Sequence, residues 1–110
     1  MNNKKLAGVT FVYNGIEHDY NYNETIQSLI ECCDHVYVVE CGSTDGTRMD
    51  IVERDVETEK VTIIFEDWTT QSGREKLSYF TNIGIRQAEF DGFDYVLYRI
   101  VHYLSNNDSI

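Results

Sequence analysis

The sequence predicts an α/β fold, a three-layer α/β/α sandwich around a mainly parallel four-stranded sheet. Three observations predict it. Apolar runs of strand length alternate with stretches of helical period along the whole chain. The order strand, helix, strand, helix, strand, helix, strand is the grammar of a parallel sheet covered on both faces. A hydrophobic content of 42% and an aromatic content of 13% in 110 residues are enough for one packed core.

The first strand is expected over Leu6 to Tyr13 (LAGVTFVY), a nearly continuous apolar run. Asn21 with Glu24 three residues on has the spacing of a capping box, and opens a helix. That helix carries Ile26, Leu29, Ile30 and Cys33, the i, i+3, i+4, i+7 stripe of a helix lying on a sheet. His35 to Glu40 (HVYVVE) is the second strand. A helix from about Gly46 to Glu57 is expected to turn Met49, Val52 and Val56 inward, with Ser43 or Asp45 as its cap. Lys60 to Glu66 (KVTIIFE) is the third strand, and a polar loop with Trp68 and Gly73 follows. The last helix runs roughly from Arg74 to Phe90, with Leu77, Phe80, Ile83 and Ala88 on its inner face. Gly84 in its middle costs about 1 kcal/mol relative to alanine, which signals a close approach to another element. Phe93 to Tyr98 (FDYVLY) is the fourth strand.

Charge and cysteine usage bound the function. Nine Lys and Arg against nineteen Asp and Glu leave a formal charge of -10, which argues against nucleic acid and anionic membrane as partners. No run approaches the length of a membrane span, and MNNKKLAGVT lacks the apolar core of a signal peptide. Three cysteines with Cys32 and Cys33 adjacent support neither a disulfide framework nor a zinc site, and fit a reduced cytoplasmic setting.

Ligands of open parallel sheets bind outside the carboxyl ends of the strands, where strand order reverses. That edge is expected to display Tyr13 and Asn14, Glu40 to Asp45, Glu66 to Trp68, and whatever follows Tyr98. No GxGxxG follows the first strand and no GxxxxGK[ST] occurs anywhere, so dinucleotide enzymes and P-loop NTPases are unsupported. A sugar nucleotidyltransferase would want a glycine-rich basic loop after the first strand, and YNGIEHDYN is neither. Glu40 is the outstanding candidate for function, because a charge ending a buried strand is costly without a partner or purpose.

VVECGSTDGT, residues 38 to 47, resembles the strand-loop-helix V-V-D-D-G-S-T-D-G-T of family 2 GT-A glycosyltransferases. VTFVYN (9–14) is similar to the family's first strand with its (T/R)-x-N element, and ETIQSL (24–29) to its E-x-I-x-S-L helix. Trp68 falls where the family carries an aromatic after the third strand. TNIGIRQA (81–88) is similar to R-N-x-G-x-x-x-A, and FDYVLY to the strand that runs D-Y-V-L-x-L-D-A-D-E. The resemblance covers residues 1–98 as a nucleotide-sugar-binding domain, the GT-A or Rossmann-like half, and leaves 99–110 as a divergent tail.

The resemblance implies transfer of a sugar from a nucleotide-sugar donor, such as a UDP-sugar, with inversion at the anomeric carbon. Tyr13 and Asn14 would flank the nucleoside, Glu40 would accept from the base N–H, Ser43 and Asp45 would shape the loop, and Asn82 would face the cleft. Each also has a structural role open to it. Asp45 suits a helix cap, Ser43 a turn, Tyr13 the edge of the core, and Asn82 a backbone partner.

The family also implies Mg²⁺ or Mn²⁺ held by an acidic D-x-D after the fourth strand. Register from Leu97 and Tyr98 puts Ile100, Val101 and His102 there, so the metal carboxylates are missing. No catalytic residue is assigned. The expectation is a truncated or degenerate glycosyltransferase that keeps the donor-binding half. The alternative is a non-catalytic relic that binds a nucleotide, or a partner protein covering the surface of the missing half.

Overall fold

The computed structural model describes residues 6–14, 16, 21–55, 59–67 and 75–98, without the side chains of 54, 55 and 75–77. The expectations for Val56, Trp68, Gly73, Arg74, Leu77 and the tail 99–110, with Ile100, Val101 and His102, lie outside what is described. The elements run β1 (Leu6–Val12), α1 (Tyr22–Cys32), β2 (His35–Glu40), α2 (Thr47–Asp55), β3 (Val61–Phe65), α3 (Glu75–Phe90) and β4 (Tyr95–Tyr98). The fold is the α/β sandwich that the sequence predicts, Rossmann-like, with one four-stranded sheet in the order β3-β2-β1-β4. All three strand pairings are parallel.

Side chains alternate across the sheet with period 2. Val12, Val36 and Val38 meet Tyr22, Ile26 and Leu29 of α1 and Ile51 of α2 on one face. Val9 and Tyr37 meet Ala88 on the other, and Phe11, Val39 and Cys41 meet Phe80, both layers under α3. The helices that carry the chain outward from β1 thus share one face. The helix that brings it back across to β4 takes the other, as crossovers of one hand require. The reversal falls between β1 and β4, and all four strands end along one rim.

Close packing explains two glycines. A Cβ on Gly84 would run into Cγ1 of Val9, so the mid-helix glycine is where α3 rests directly on the sheet. A Cβ on Gly8 would lie 3.0 Å from the Cys33 sulfur and 3.1 Å from Leu29, so this glycine admits the end of α1. At the amino edge of the sheet, His35, Tyr37 and Phe93 form an aromatic group, with His35 5.1 Å from Tyr37 and 6.1 Å from Phe93. The Tyr37 hydroxyl donates to Asp91 Oδ2 at 2.5 Å, and a His35 ring nitrogen hydrogen-bonds Thr62 Oγ1 at 2.7 Å.

Two local expectations are corrected. Asn21 occupies the N-cap position of α1, but its side chain makes no capping hydrogen bond. Its carbonyl accepts from the Thr25 N–H at 3.1 Å instead. Met49 is not inward but 61% exposed, and Ile51 takes the buried position at 1%. Thr47 is fully buried at the start of α2, and Ile51 lies one turn further along the same face. Met49 falls on the far side.

Candidate functional site

The rim begins where β1 and β2 end. Glu40 is the last residue of β2, paired with Val12 on one side and Phe65 on the other. Its neighbours leave its side chain no exposure. The carboxylate bends over the end of its own strand and accepts from the N–H groups of Gly42 (3.1 Å) and Ser43 (3.0 Å). A buried anion is thereby matched by two oriented donors, which offsets the cost of removing it from water. Gly42 has φ 85°, a conformation that glycine adopts without penalty, and this lets the loop fold back on the carboxylate.

A second set of bonds ties the loop after β2 to the end of β1. The Asn14 N–H donates to Ser43 Oγ at 2.8 Å, and Asn14 Oδ1 accepts from the Thr44 N–H at 2.7 Å. Asn14 is buried and has φ 50°, the left-handed region that asparagine tolerates better than most side chains. Two residues on, the Ile16 N–H donates to Thr47 Oγ1 at 2.9 Å. Thr47 in turn donates its hydroxyl to Asp45 Oδ1 at 2.6 Å, and its N–H donates to the same oxygen at 3.0 Å. Between Ser43 and Asp45, Asp45 therefore serves the start of α2, and Ser43 serves β1. The Gly46 carbonyl accepts the first helical bond from Asp50.

Five of the sequence candidates come together here: Tyr13, Asn14, Glu40, Ser43 and Asp45. Tyr13 is half-buried against the cluster of Phe11, Val39, Cys41 and Phe80. Asn82 lies on the exposed side of α3, two residues beyond Phe80, and no hydrogen bond joins it to the rim among the described residues. Sequence reasoning missed Thr44 and Thr47, whose bonds complete the zipper. It also missed an open groove of 510 Å³ on the other flank of the loop, lined by Ser43, Thr44, Arg48, Met49, Val52 and Phe65. There the Arg48 guanidinium lies 4.3 Å from the centre of the Phe65 ring, a cation–π contact. Only the three-dimensional meeting of α2 with the end of β3 brings these residues together.

The divalent metal that the resemblance implies does not fit the carboxylates described here. Glu40 and Asp45 direct their oxygens at backbone and hydroxyl donors of their own loop. No group of three or more His, Cys, Asp or Glu side chains suited to a metal ion occurs among the described residues. No helix among them is long and apolar enough to cross a membrane.

The class that fold and rim define is an α/β sandwich with a preformed loop at the carboxyl edge of its sheet. Comparisons with protein-family models, with curated proteins and with solved structures gave no match.

Proposed function

We propose that the rim binds the nucleoside part of a nucleotide-sugar, as the donor-binding lobe of a family 2 glycosyltransferase-like protein. One observation carries the reading. The residues that the sequence resemblance assigns to the nucleoside, Tyr13, Asn14, Glu40 and Ser43, border a single hydrogen-bonded rim beside the β1 carboxyl end. The rim is already joined by its own hydrogen bonds, which favours binding, since less ordering entropy remains to be lost when a ligand arrives.

The loop chemistry selects the nucleoside rather than the diphosphate. The N–H groups of Gly42, Ser43, Thr44 and Thr47 are spent on Glu40, Asn14 and Asp45, so they form no phosphate cradle. Asp45, Glu66 and Asp67 add negative charge along the same edge, which opposes an anion. The Tyr13 ring and the exposed Thr44 hydroxyl suit a base and a ribose. The resemblance gives Glu40 the base N–H, but its carboxylate is fully buried with both oxygens on the Gly42 and Ser43 amides, so its part is to fix the loop. Sugar transfer is the activity that the family resemblance adds.

A second reading, a nucleoside- or partner-binding module without turnover, is favoured by the engagement of the rim carboxylates within the loop. The test is titration of isotope-labelled protein with uridine and with UDP, followed by assay of sugar-nucleotide hydrolysis with and without Mn²⁺. Shifts at the amides of Tyr13, Asn14, Ser43 and Thr44 with both ligands, uridine no weaker than UDP, are expected. Turnover separates the first reading from the second, and silence at those four amides rejects nucleoside binding in either.

A further inference from the structure

At the opposite edge of the sheet, remote from the rim, the chain places two thiols side by side. Cys32 closes α1 and is exposed, while Cys33 follows as its C-cap and is 5% exposed. Their sulfurs are 3.8 Å apart. The Cys33 sulfur is held in place: its N–H donates to the Leu29 carbonyl at 2.9 Å, and the sulfur sits in the space left by Gly8. Lys60 bonds the Ile30 carbonyl at 2.8 Å, bringing a positive charge to the same helix end.

This separation suits some bridges and not others. A disulfide would require the sulfurs to close to about 2.05 Å, and its Cα atoms normally stand about 4.4–6.8 Å apart. Adjacent residues across a trans peptide are held at about 3.8 Å, so direct oxidation of this pair is strained. A tetrahedral metal is different. Two metal–thiolate bonds of about 2.3 Å at about 109° span about 3.8 Å between the sulfurs, the separation found here.

We propose that Cys32 and Cys33 form a bidentate thiolate site for a soft d¹⁰ dication of the zinc and cadmium class. Each thiol gives up its proton as its sulfur displaces a water from the hydrated ion, so two protons are released per metal and no electron is transferred. Two further waters leave the six-coordinate hydrated ion and two stay to complete the tetrahedron, since the described residues add no third ligand. Cys32, being exposed, meets the ion first, and the fixed Cys33 sulfur closes the chelate.

The experiment is a Cd²⁺ titration of the reduced full chain, read by thiolate-to-cadmium charge-transfer absorption and by native mass. Absorption saturating at one cadmium per chain is expected, together with release of two protons. Cys32→Ser, a change at an exposed position, is expected to abolish the band with the circular dichroism spectrum unchanged. Cys33→Ala is expected to do the same, and Cys41→Ala to leave the band in place. Absence of the band in the native chain, its persistence in Cys32→Ser, or a metal shared between two chains would each overturn the proposal.

Discussion

The backbone N–H of Asn14 donates to the hydroxyl of Ser43 across 2.8 Å, so the end of the central strand is fastened directly to the loop of its neighbour. Asn14 returns the tie through Oδ1 to Thr44, and does so from a left-handed backbone. The shape of the rim therefore depends on one residue that satisfies both a conformational and a hydrogen-bonding demand.

Asn14→Ala fails both demands and is expected to cost about 2–3 kcal/mol, from the stranded Thr44 N–H and the left-handed penalty together. Asn14→Gly loses the same acceptor but accepts the backbone, and should cost about 1 kcal/mol less. Urea unfolding midpoints in the order native, glycine, alanine check this. Equal midpoints for the two variants would remove the conformational part of the argument.

Thr10 is 1% exposed on β1, and its hydroxyl has no hydrogen-bond partner among the described residues. Thr10→Val deletes that orphaned group while keeping the branched shape. A gain of about 1 kcal/mol is expected by thermal or urea unfolding. A loss would mean that the hydroxyl is hydrated or bonded in solution.

Gly84→Ala sets two effects against each other. Helix propensity gains about 1 kcal/mol, while the new methyl overlaps Val9. Overpacking of this kind costs about 1–3 kcal/mol, so net destabilisation is expected. Val9→Ala in the same chain makes room for the methyl. A double-mutant cycle should give a coupling of about 1 kcal/mol or more, and additive effects would refute the contact.

Stability should be greatest between about pH 6.5 and pH 9. Burial pushes the Cys33 thiol from 9.0 up to about 11, and burial with the bond to Asp91 raises the Tyr37 phenol above 10.0. The native state keeps both groups protonated where the unfolded chain releases them. Stability is thus complete below pH 9 and falls as pH rises through about 11. Burial lowers His35 from 6.5, with Asp91 opposing and Lys60 assisting. Below pH 6.5 the unfolded chain binds the proton more readily, so stability falls on acidification. Unfolding midpoints across pH 5 to 11 check both limbs. Tyr37→Phe should flatten part of the alkaline one, and a midpoint rising from pH 9 to 11 would contradict the assignment.

Much of the fold is legible in the sequence because it rests on period and burial. HVYVVE has the length and β-branched content of an interior strand, and β2 occupies those six residues. The stripe of Ile26, Leu29 and Cys33 is the face that α1 buries. The register of α2 is not legible, because polar contacts set it. Thr47 is drawn inward by Ile16 and Asp45, and a search for apolar spacing passes over a threonine. The rim is half legible. Glu40 stands out as a charge ending an apolar run, but that its carboxylate turns onto its own loop depends on Gly42 and Ser43 folding back. The bond from Tyr22 to Asp50 on α2 leaves no sequence signal at all.

The central position of β1 also shapes how the chain is made. Ala7 pairs with His35 on one flank and with Val96 on the other. On the ribosome, the first neighbour emerges soon after β1, but the second follows only when α3 has been synthesised. Until then the nascent chain carries an open row of amides and carbonyls beside β1, so translation speed through α3 sets how long it is exposed to pairing with other chains.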